Sequence, residues 1–115
     1  MLLRMTRPAF LSLTAAACVL GMSFAWACGC GFDVLKAAAT LVLALVAHAG
    51  ANVLNDYHDA LNGADAANQS GLFPFTGGSR LIQRGLVTEG QTAALAHTLL
   101  LVLVPAGLLL AVKTA

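Results

Sequence analysis

Residues 37–61 have the sequence AAATLVLALVAHAGANVLNDYHDAL, in which a long apolar run is followed by polar and acidic side chains. Residues 37–55 carry no charged side chain, whereas Asp56 and Asp59 follow directly after them. An apolar run of about 20 residues is long enough to cross the hydrocarbon core of a bilayer as a helix. The stretch therefore predicts a membrane-spanning helix that ends in a turn rich in carboxylates.

Two further uncharged segments flank this helix, at residues 8–32 and 90–112. Each of them can also supply the roughly 20 apolar residues of a membrane span. We therefore predict an all-α fold, a transmembrane helical bundle. Its three helices are expected at residues 8–30, 36–61 and 89–112, and a polar loop is expected at residues 62–88.

The composition of the 115-residue chain favours the same class of protein. Hydrophobic residues make up 59% of the chain, charged residues make up 10%, and the mean hydropathy is +0.84. Soluble domains carry about a quarter charged residues, and disordered chains combine low hydrophobicity with high net charge. Six basic against five acidic residues also leave no basic surface for nucleic acid. The composition thus predicts an integral membrane protein in contact with the lipid bilayer.

The first apolar segment admits a second interpretation. Arg4 and Arg7 precede an apolar run that ends Ala25-Trp26-Ala27, an arrangement that also resembles a secretory signal peptide. The run is long for a signal peptide, and two further spans follow it, which favours a membrane helix. Cys28 and Cys30 lack the second pair that would complete a metal site, so we expect them to be small apolar residues at a helix end.

The basic residues predict the orientation of the chain in the membrane. Arg4 and Arg7 precede the first helix, and Arg80 and Arg84 lie in the long polar loop, whereas only Lys36 lies between the first two helices. By the positive-inside rule, the N-terminus and the loop at residues 62–88 are cytoplasmic. The expected location is a bacterial inner membrane or its equivalent, as a multi-pass protein.

Oxygen-bearing side chains share one face at the end of the second helix. At about 100° per residue, Asn52, Asp56 and Asp59 fall within about 60° of one another, and Asn55 flanks them. His58 lies about 80° or more from that face and is expected to be a neighbour of the site. Two other histidines, His48 and His97, are expected to pack or to hydrogen bond between helices.

The two aspartates are electrostatically unfavourable at this position. Like charges three residues apart on a helix repel, and the helix macrodipole disfavours negative charge at a C-terminus. No basic residue nearby in sequence neutralises them. Mg²⁺ commonly binds one or two protein carboxylates together with water and phosphate. We therefore expect Asn52, Asp56 and Asp59 to hold Mg²⁺; the alternative is that the carboxylates only solvate the helix end at the membrane interface.

The polar loop contains groups that suit an anion. The sequence Gly77-Gly78-Ser79 lets backbone N–H groups approach an anion closely, and Arg80 and Arg84 can add charge-assisted hydrogen bonds. At residues 88–91, TEGQ fits a capping box that opens the third helix. Carboxylates for Mg²⁺, followed by a loop of donors, predict a diphosphate site.

Several stretches of the sequence resemble a known protein family. NVLNDYHD at 52–59, followed by GAD at 63–65 and RLIQRGLVT at 80–88, resembles the first aspartate-rich motif and the following loop of the UbiA superfamily of intramembrane prenyltransferases. The spacing is most similar to the branch of the 1,4-dihydroxy-2-naphthoate prenyltransferases of menaquinone biosynthesis. RPAFL at residues 7–11 is also typical of that branch.

The resemblance implies transfer of a polyprenyl group from its diphosphate to an aromatic acceptor. Mg²⁺ would bridge the aspartates to the diphosphate, the allylic C–O bond would ionise, and an electron-rich ring would capture the carbocation. By position, Asp56 and Asp59 would be the catalytic metal ligands together with Asn52, and Asn55 would support them. Asp65 matches the Gly-x-Asp of the quinone branch. Arg80 matches a basic residue that contacts diphosphate, and Arg84 is expected to contact substrate as well.

Members of the superfamily have a larger helical bundle and a second aspartate-rich motif on a later helix, and this chain contains no second motif. We therefore expect an N-terminal fragment, three helices of a larger bundle, that is inactive alone. Two other hypotheses remain open. The chain could be a small membrane protein without catalysis, or a fragment of a transporter that uses Asp56 and Asp59 as a cation site.

Overall fold

Helices make up most of the chain in a computed structural model that describes residues 2–73 and 77–114. In chain order they are a 3-10 helix at Leu2–Thr6 and the α-helices α1 (Pro8–Ala27), α2 (Val34–Leu61), α3 (Ala64–Ala67) and α4 (Glu89–Thr114). These described residues contain no β-strand, as the sequence predicts. Three segments are long and apolar enough to cross a membrane, with mean hydropathies of 1.7, 1.8 and 2.4: Pro8–Ala27, Val34–Leu61 and Glu89–Lys113.

Helix α1 is shorter than the predicted helix at 8–30. It begins at Pro8, whose missing N–H costs nothing in a first helical turn. It ends at Ala27, and Gly29 follows with a φ of 68°, a left-handed conformation that stops a helix. A disulfide joins Cys28 to Cys30. The expectation that these two cysteines are merely small apolar residues is therefore wrong.

Helix α2 begins two residues before the predicted start at residue 36. Asp33 caps its N-terminus, because Oδ1 of Asp33 accepts hydrogen bonds from the backbone N–H groups of Leu35 (2.9 Å) and Lys36 (3.1 Å). The helix ends at Leu61, the predicted residue. The oxygen-bearing residues at 52–59 therefore all lie on one continuous helix.

The segment predicted as a loop at residues 62–88 contains regular structure. Gly63, with a φ of 79°, precedes the short helix α3, and Oδ1 of Asn62 accepts from the N–H of Ala64 at 2.9 Å. A second turn follows, in which the N–H of Leu86 donates to the carbonyl of Leu81 at 3.0 Å. These two turns fold the segment back over the end of α2.

Helix α4 begins with the predicted capping box. The N–H of Gln91 donates to Oγ1 of Thr88, and the N–H of Thr88 donates to Oε1 of Gln91, both at 3.0 Å. The helix then runs to Thr114, two residues beyond the predicted end at 112. The start of this helix is thus fixed locally, next to the end of the folded loop.

Helix α2 packs against both α1 and α4. Gly50 lets α4 come close, since a Cβ atom there would lie 2.7 Å from Cδ2 of Leu100. Between α1 and α2, Oγ1 of Thr14 and Nδ1 of His48 are 2.8 Å apart, the interhelical hydrogen bond expected of this histidine. His97 instead hydrogen bonds the Ala93 carbonyl within α4, at 2.7 Å.

The buried apolar cluster lies near the end of α2 that carries the carboxylates. It joins side chains from the 3-10 helix, α2, the loop and the first turns of α4: Met5, Val53, Leu81, Val87 and Ala96. Large apolar side chains along the rest of the long helices, such as Leu20 and Leu101, are exposed. In lipid these exposed side chains need no protein partner. The tightly packed part of the described chain is therefore the part that holds the polar residues in place.

Candidate functional site

Asp56 is the central buried charge at the end of α2. Its carboxylate forms an ion pair with the guanidinium of Arg7, and the side chains of Asp56 and Arg7 are only 3% and 13% exposed. The backbone N–H of Ser79 donates to Asp56 as well, 3.2 Å from Oδ2 and 3.4 Å from Oδ1. A carboxylate has about four lone-pair sites, so these donors leave acceptor capacity for a cation.

Arg7 is the residue that the sequence analysis did not place in the site. It lies just before α1 with a φ of 52°, and its guanidinium also donates to Oδ1 of Asn55 at 3.3 Å. Asp56 has no basic neighbour in sequence, but Arg7, which precedes it by 49 residues, neutralises it in the fold. The signal that could have found it is the pairing of a cation before the first helix with an unbalanced acid at the end of the second.

The other polar residues on this face of α2 also make side-chain hydrogen bonds. The amide nitrogen of Asn52 donates to the carbonyl of Thr6 at 2.8 Å, which ties α2 to the N-terminal 3-10 helix. Nδ2 of Asn55 donates to Oδ2 of Asp59 at 2.9 Å. In both asparagines the side-chain N–H group thus donates a hydrogen bond within the protein. The atom with which Asn52 could bind a cation is its amide oxygen.

Asp65 comes close to Asp56 across the backbone of Gly78. A Cβ atom on Gly78 would lie 2.9 Å from Oδ1 of Asp56 and 2.9 Å from Oδ2 of Asp65. Gly78 also has a φ of 79°, a conformation that side chains disfavour. Glycine is therefore required here for two reasons, and its small size lets the loop backbone pass between two carboxylates.

The environment of Asp65 disfavours its ionised form. Burial raises the pKa of this carboxyl, and the charges of Asp56 and Asp59 raise the pKa further, while Arg80 and Arg7 act in the opposite direction. Burial is the largest cause. The ionised carboxylates therefore repel one another in a partly desolvated place, and a bound cation would relieve that repulsion.

Arg80 binds the loop backbone. Its Nη1 donates to the carbonyl of Asp65 and to that of Asn68, the latter at 2.9 Å, and its guanidinium carbon lies 4.6 Å from the ring centroid of Phe73. With a φ of 64°, Arg80 is itself in the left-handed region. The structure thus gives Arg80 a role in holding α3 and the loop together, and its contact with diphosphate stays a prediction.

Arg84 lines a small pocket next to the carboxylates. The pocket has a volume of about 120 Å³ and is lined by Arg4, Phe73, Ser79 and Arg84. The predicted donor loop is only partly available to an anion, because the N–H of Ser79 is already directed at Asp56. Residues 74–76 of that loop lie outside the described residues. His58 is exposed beside Tyr57, as expected of a residue off the ligand face.

The carboxylates and the amide are oxygen donors of the kind that Mg²⁺ prefers. Among residues 2–73 and 77–114, no group of three or more His, Cys, Asp and Glu side chains is arranged to hold a metal ion. Mg²⁺ does not require such a group, because it usually keeps several waters and binds one or two carboxylates plus substrate phosphates. The donor chemistry of Asp56, Asp59 and Asp65 therefore suits Mg²⁺ that also binds a phosphate group.

The chain is similar to a curated enzyme, the 1,4-dihydroxy-2-naphthoate octaprenyltransferase of Escherichia coli (strain K12). The two are 35% identical over 85 residues, which make up 74% of this chain and 25% of that enzyme. The similarity thus spans most of this chain and about a quarter of the relative. Neither a protein family profile nor a solved structure matches the chain.

Proposed function

We propose that this chain belongs to the UbiA superfamily of intramembrane prenyltransferases and forms the donor-binding part of the enzyme. The reaction would transfer a polyprenyl group from its diphosphate to an aromatic acid such as 1,4-dihydroxy-2-naphthoate, in quinone biosynthesis. The similarity to an octaprenyltransferase supports the reaction class. The observation that carries the proposal is the convergence of Asp56, Asp65 and Ser79 at the end of a membrane-spanning helix.

One or two of the carboxylates of Asp56, Asp59 and Asp65 would hold Mg²⁺, together with the amide oxygen of Asn52. When bound, Mg²⁺ would supply charge neutralisation for the departing diphosphate. Asp65 must be ionised to act as a ligand, and because its pKa is raised it would lose that charge at a higher pH than an ordinary aspartate does as the solution is acidified. The hydrogen bond from Asn55 would hold Asp59 in place for this role.

The basic residues of the cluster would orient the donor. Arg7 holds Asp56 in a fixed position, which limits the motion of the carboxylate that would face the cation. Arg80 fixes the loop backbone at Asp65 and Asn68, and the remaining donors of its guanidinium are the groups that would contact diphosphate. Because the cluster lies at a helix end, the charged group would stay at the membrane surface while the isoprenoid tail lies among the apolar helices.

The proposal is tested by donor binding to the 115-residue chain in lipid nanodiscs. Binding is the appropriate readout because the similarity spans only a quarter of the relative. Radiolabelled geranylgeranyl diphosphate is titrated in the presence of Mg²⁺ and again in EDTA. We expect Mg²⁺-dependent binding that weakens about tenfold or more in Asp59→Asn, since one charge-assisted ligand is lost.

The matched control is Glu89→Gln, which removes a carboxylate from the start of α4, outside the cluster, and should leave binding unchanged. Equal binding with Mg²⁺ and with EDTA, or equal binding by Asp59→Asn, would contradict the assignment. Mg²⁺ binding without any diphosphate binding would favour the alternative of a cation site in a transporter. Binding of neither would leave the site a solvated helix end.

A further inference from the structure

We infer that the pocket formed by Arg4, Phe73, Ser79 and Arg84 binds the carboxylate of an aromatic acid, the acceptor of the reaction proposed above. We call it the Arg4–Arg84 pocket. This inference rests on the proposed function. The carboxylates account for binding of the diphosphate donor, and the Arg4–Arg84 pocket would account for binding of the second substrate, the acceptor. Its four lining residues come from the N-terminal 3-10 helix and from both sides of the folded loop.

The charge of the pocket points to an anion. Arg4 and Arg84 both line it, and within residues 2–73 and 77–114 the ion pair of the chain joins Arg7 to Asp56 and involves neither of them. Two positively charged residues that line one small cavity attract an anion to it. A planar carboxylate is a geometric match for the fork of donors on a guanidinium.

The size of the pocket limits which substrate can bind in it. Its volume of about 120 Å³ equals the space of about four water molecules in the liquid. That space admits a carboxylate and part of an aromatic ring, and it excludes a polyprenyl chain. The isoprenoid donor would therefore lie elsewhere, along the apolar helices.

Phe73, which also lines the pocket, offers a surface on which an aromatic ring can pack. Phe73 presents an aromatic side chain, and aromatic pairs gain stability in offset-stacked or edge-to-face arrangements. The ring of Phe73 also lies under the Arg80 guanidinium, whose partner atoms include the carbonyl of Asp65. The pocket therefore shares a wall with the structure that holds the carboxylates.

The position of Ser79 places the two subsites side by side. Its backbone N–H donates to Asp56, while the residue also lines the Arg4–Arg84 pocket. An aromatic acid held by its carboxylate at the two arginines would have its ring next to the site proposed for the diphosphate. This adjacency is what a transfer between the two substrates requires.

The test uses the 115-residue chain in nanodiscs and the fluorescence of 1-hydroxy-2-naphthoate, with 1-naphthol as the ligand that lacks a carboxylate. We expect 1-hydroxy-2-naphthoate to bind, and we expect Arg84→Gln and Arg4→Gln each to weaken binding about tenfold, the usual effect of losing one charge-assisted hydrogen bond. Arg84→Lys should lose less, because it keeps the charge. Binding of 1-naphthol should not respond to any of these substitutions.

Two controls distinguish this inference from the proposed function. Lys36→Gln removes a positive charge at the other end of α2 and should leave naphthoate binding unchanged. Geranylgeranyl diphosphate binding, measured in the same samples, should change less than twofold in Arg4→Gln. Naphthoate binding that is absent, or that both arginine variants retain in full, would overturn the inference while leaving the diphosphate site standing. Loss of diphosphate binding alone in these variants would assign the pocket to the donor and also overturn it.

Discussion

The Arg7–Asp56 ion pair is expected to stabilise the fold as a unit. Removing one partner should therefore lower the free energy of unfolding by more than half of the decrease caused by removing both. The two side chains are 13% and 3% exposed, and whichever one remains stays largely removed from water. Removing one partner of a fully buried pair costs about 3–5 kcal/mol. Asn55 also accepts from Arg7, and Ser79 also donates to Asp56. Because these contacts remain, we expect Asp56→Asn or Arg7→Gln alone to lower the free energy of unfolding by about 2–3 kcal/mol.

The double variant should lose less stability than the sum of the two single variants. With both charges removed, no unpaired ion remains at the end of α2, so the two effects should fall short of additivity by about 1.5–2.5 kcal/mol. The free energy of unfolding is measured for the four proteins of the cycle in mixed detergent micelles. Far-UV circular dichroism and the fluorescence of Trp26 must report the same transition.

The control substitutions are Lys36→Gln and Glu89→Gln, which remove exposed charges at a distance from the pair. Each should change the free energy of unfolding by no more than about 0.5 kcal/mol. A coupling energy below about 0.5 kcal/mol between Arg7 and Asp56 would show that the two charges act independently. That result would refute the conclusion that Arg7 holds the central carboxylate in place.

Three further predictions concern the loop, its acidity and its side of the membrane. Gly78→Ala should weaken diphosphate binding as well as the fold, because a Cβ would crowd two carboxylates. The control Gly85→Ala, at a φ of 69° with open space around it, should cost only the backbone strain of about 1–2 kcal/mol. Because the pKa of Asp65 is raised, its carboxyl keeps its proton in the folded state at pH values above the ordinary pKa of 3.8. In EDTA, the free energy of unfolding should therefore fall as the pH rises through the raised pKa of Asp65. The variant Asp65→Asn, measured over the same pH range, should not show this fall. A reporter enzyme fused after Gly71 should be active in the cytoplasm and one fused near Asp33 outside it, and the reverse pattern would contradict the orientation.

The helices could be predicted from the sequence because the membrane imposes a simple rule on charge and length. Residues 8–32, 37–55 and 90–112 are free of charge, and each contains most of a long helix. The shared face of Asn52, Asp56 and Asp59 follows from helix periodicity alone. The capping box of α4 was also predictable, since its two hydrogen bonds join residues only three apart.

The polar contacts of the site could not be predicted, because they join distant parts of the chain. Nothing local marks Arg7 as the partner of Asp56, and Asp56 and Asp65 meet on either side of Gly78, which lies 13 residues after Asp65. Helix α3 spans only Ala64–Ala67, too short to show a periodic pattern. The loop N–H of Ser79 was expected to be available to an anion because its acceptor lies 23 residues earlier.

The long separation of Arg7 and Asp56 also sets an order of events during biosynthesis. Arg7 is translated 49 residues before Asp56, which corresponds to a lead of about 2–10 s at ordinary rates of synthesis. Helices α1 and α2 form a hairpin, so the chain returns after two crossings to the side from which it started. Asp56 therefore reaches the membrane surface when its counter-charge is already there. The acidic end of α2 can then fold without passing through a stage in which its buried carboxylate has no cation beside it.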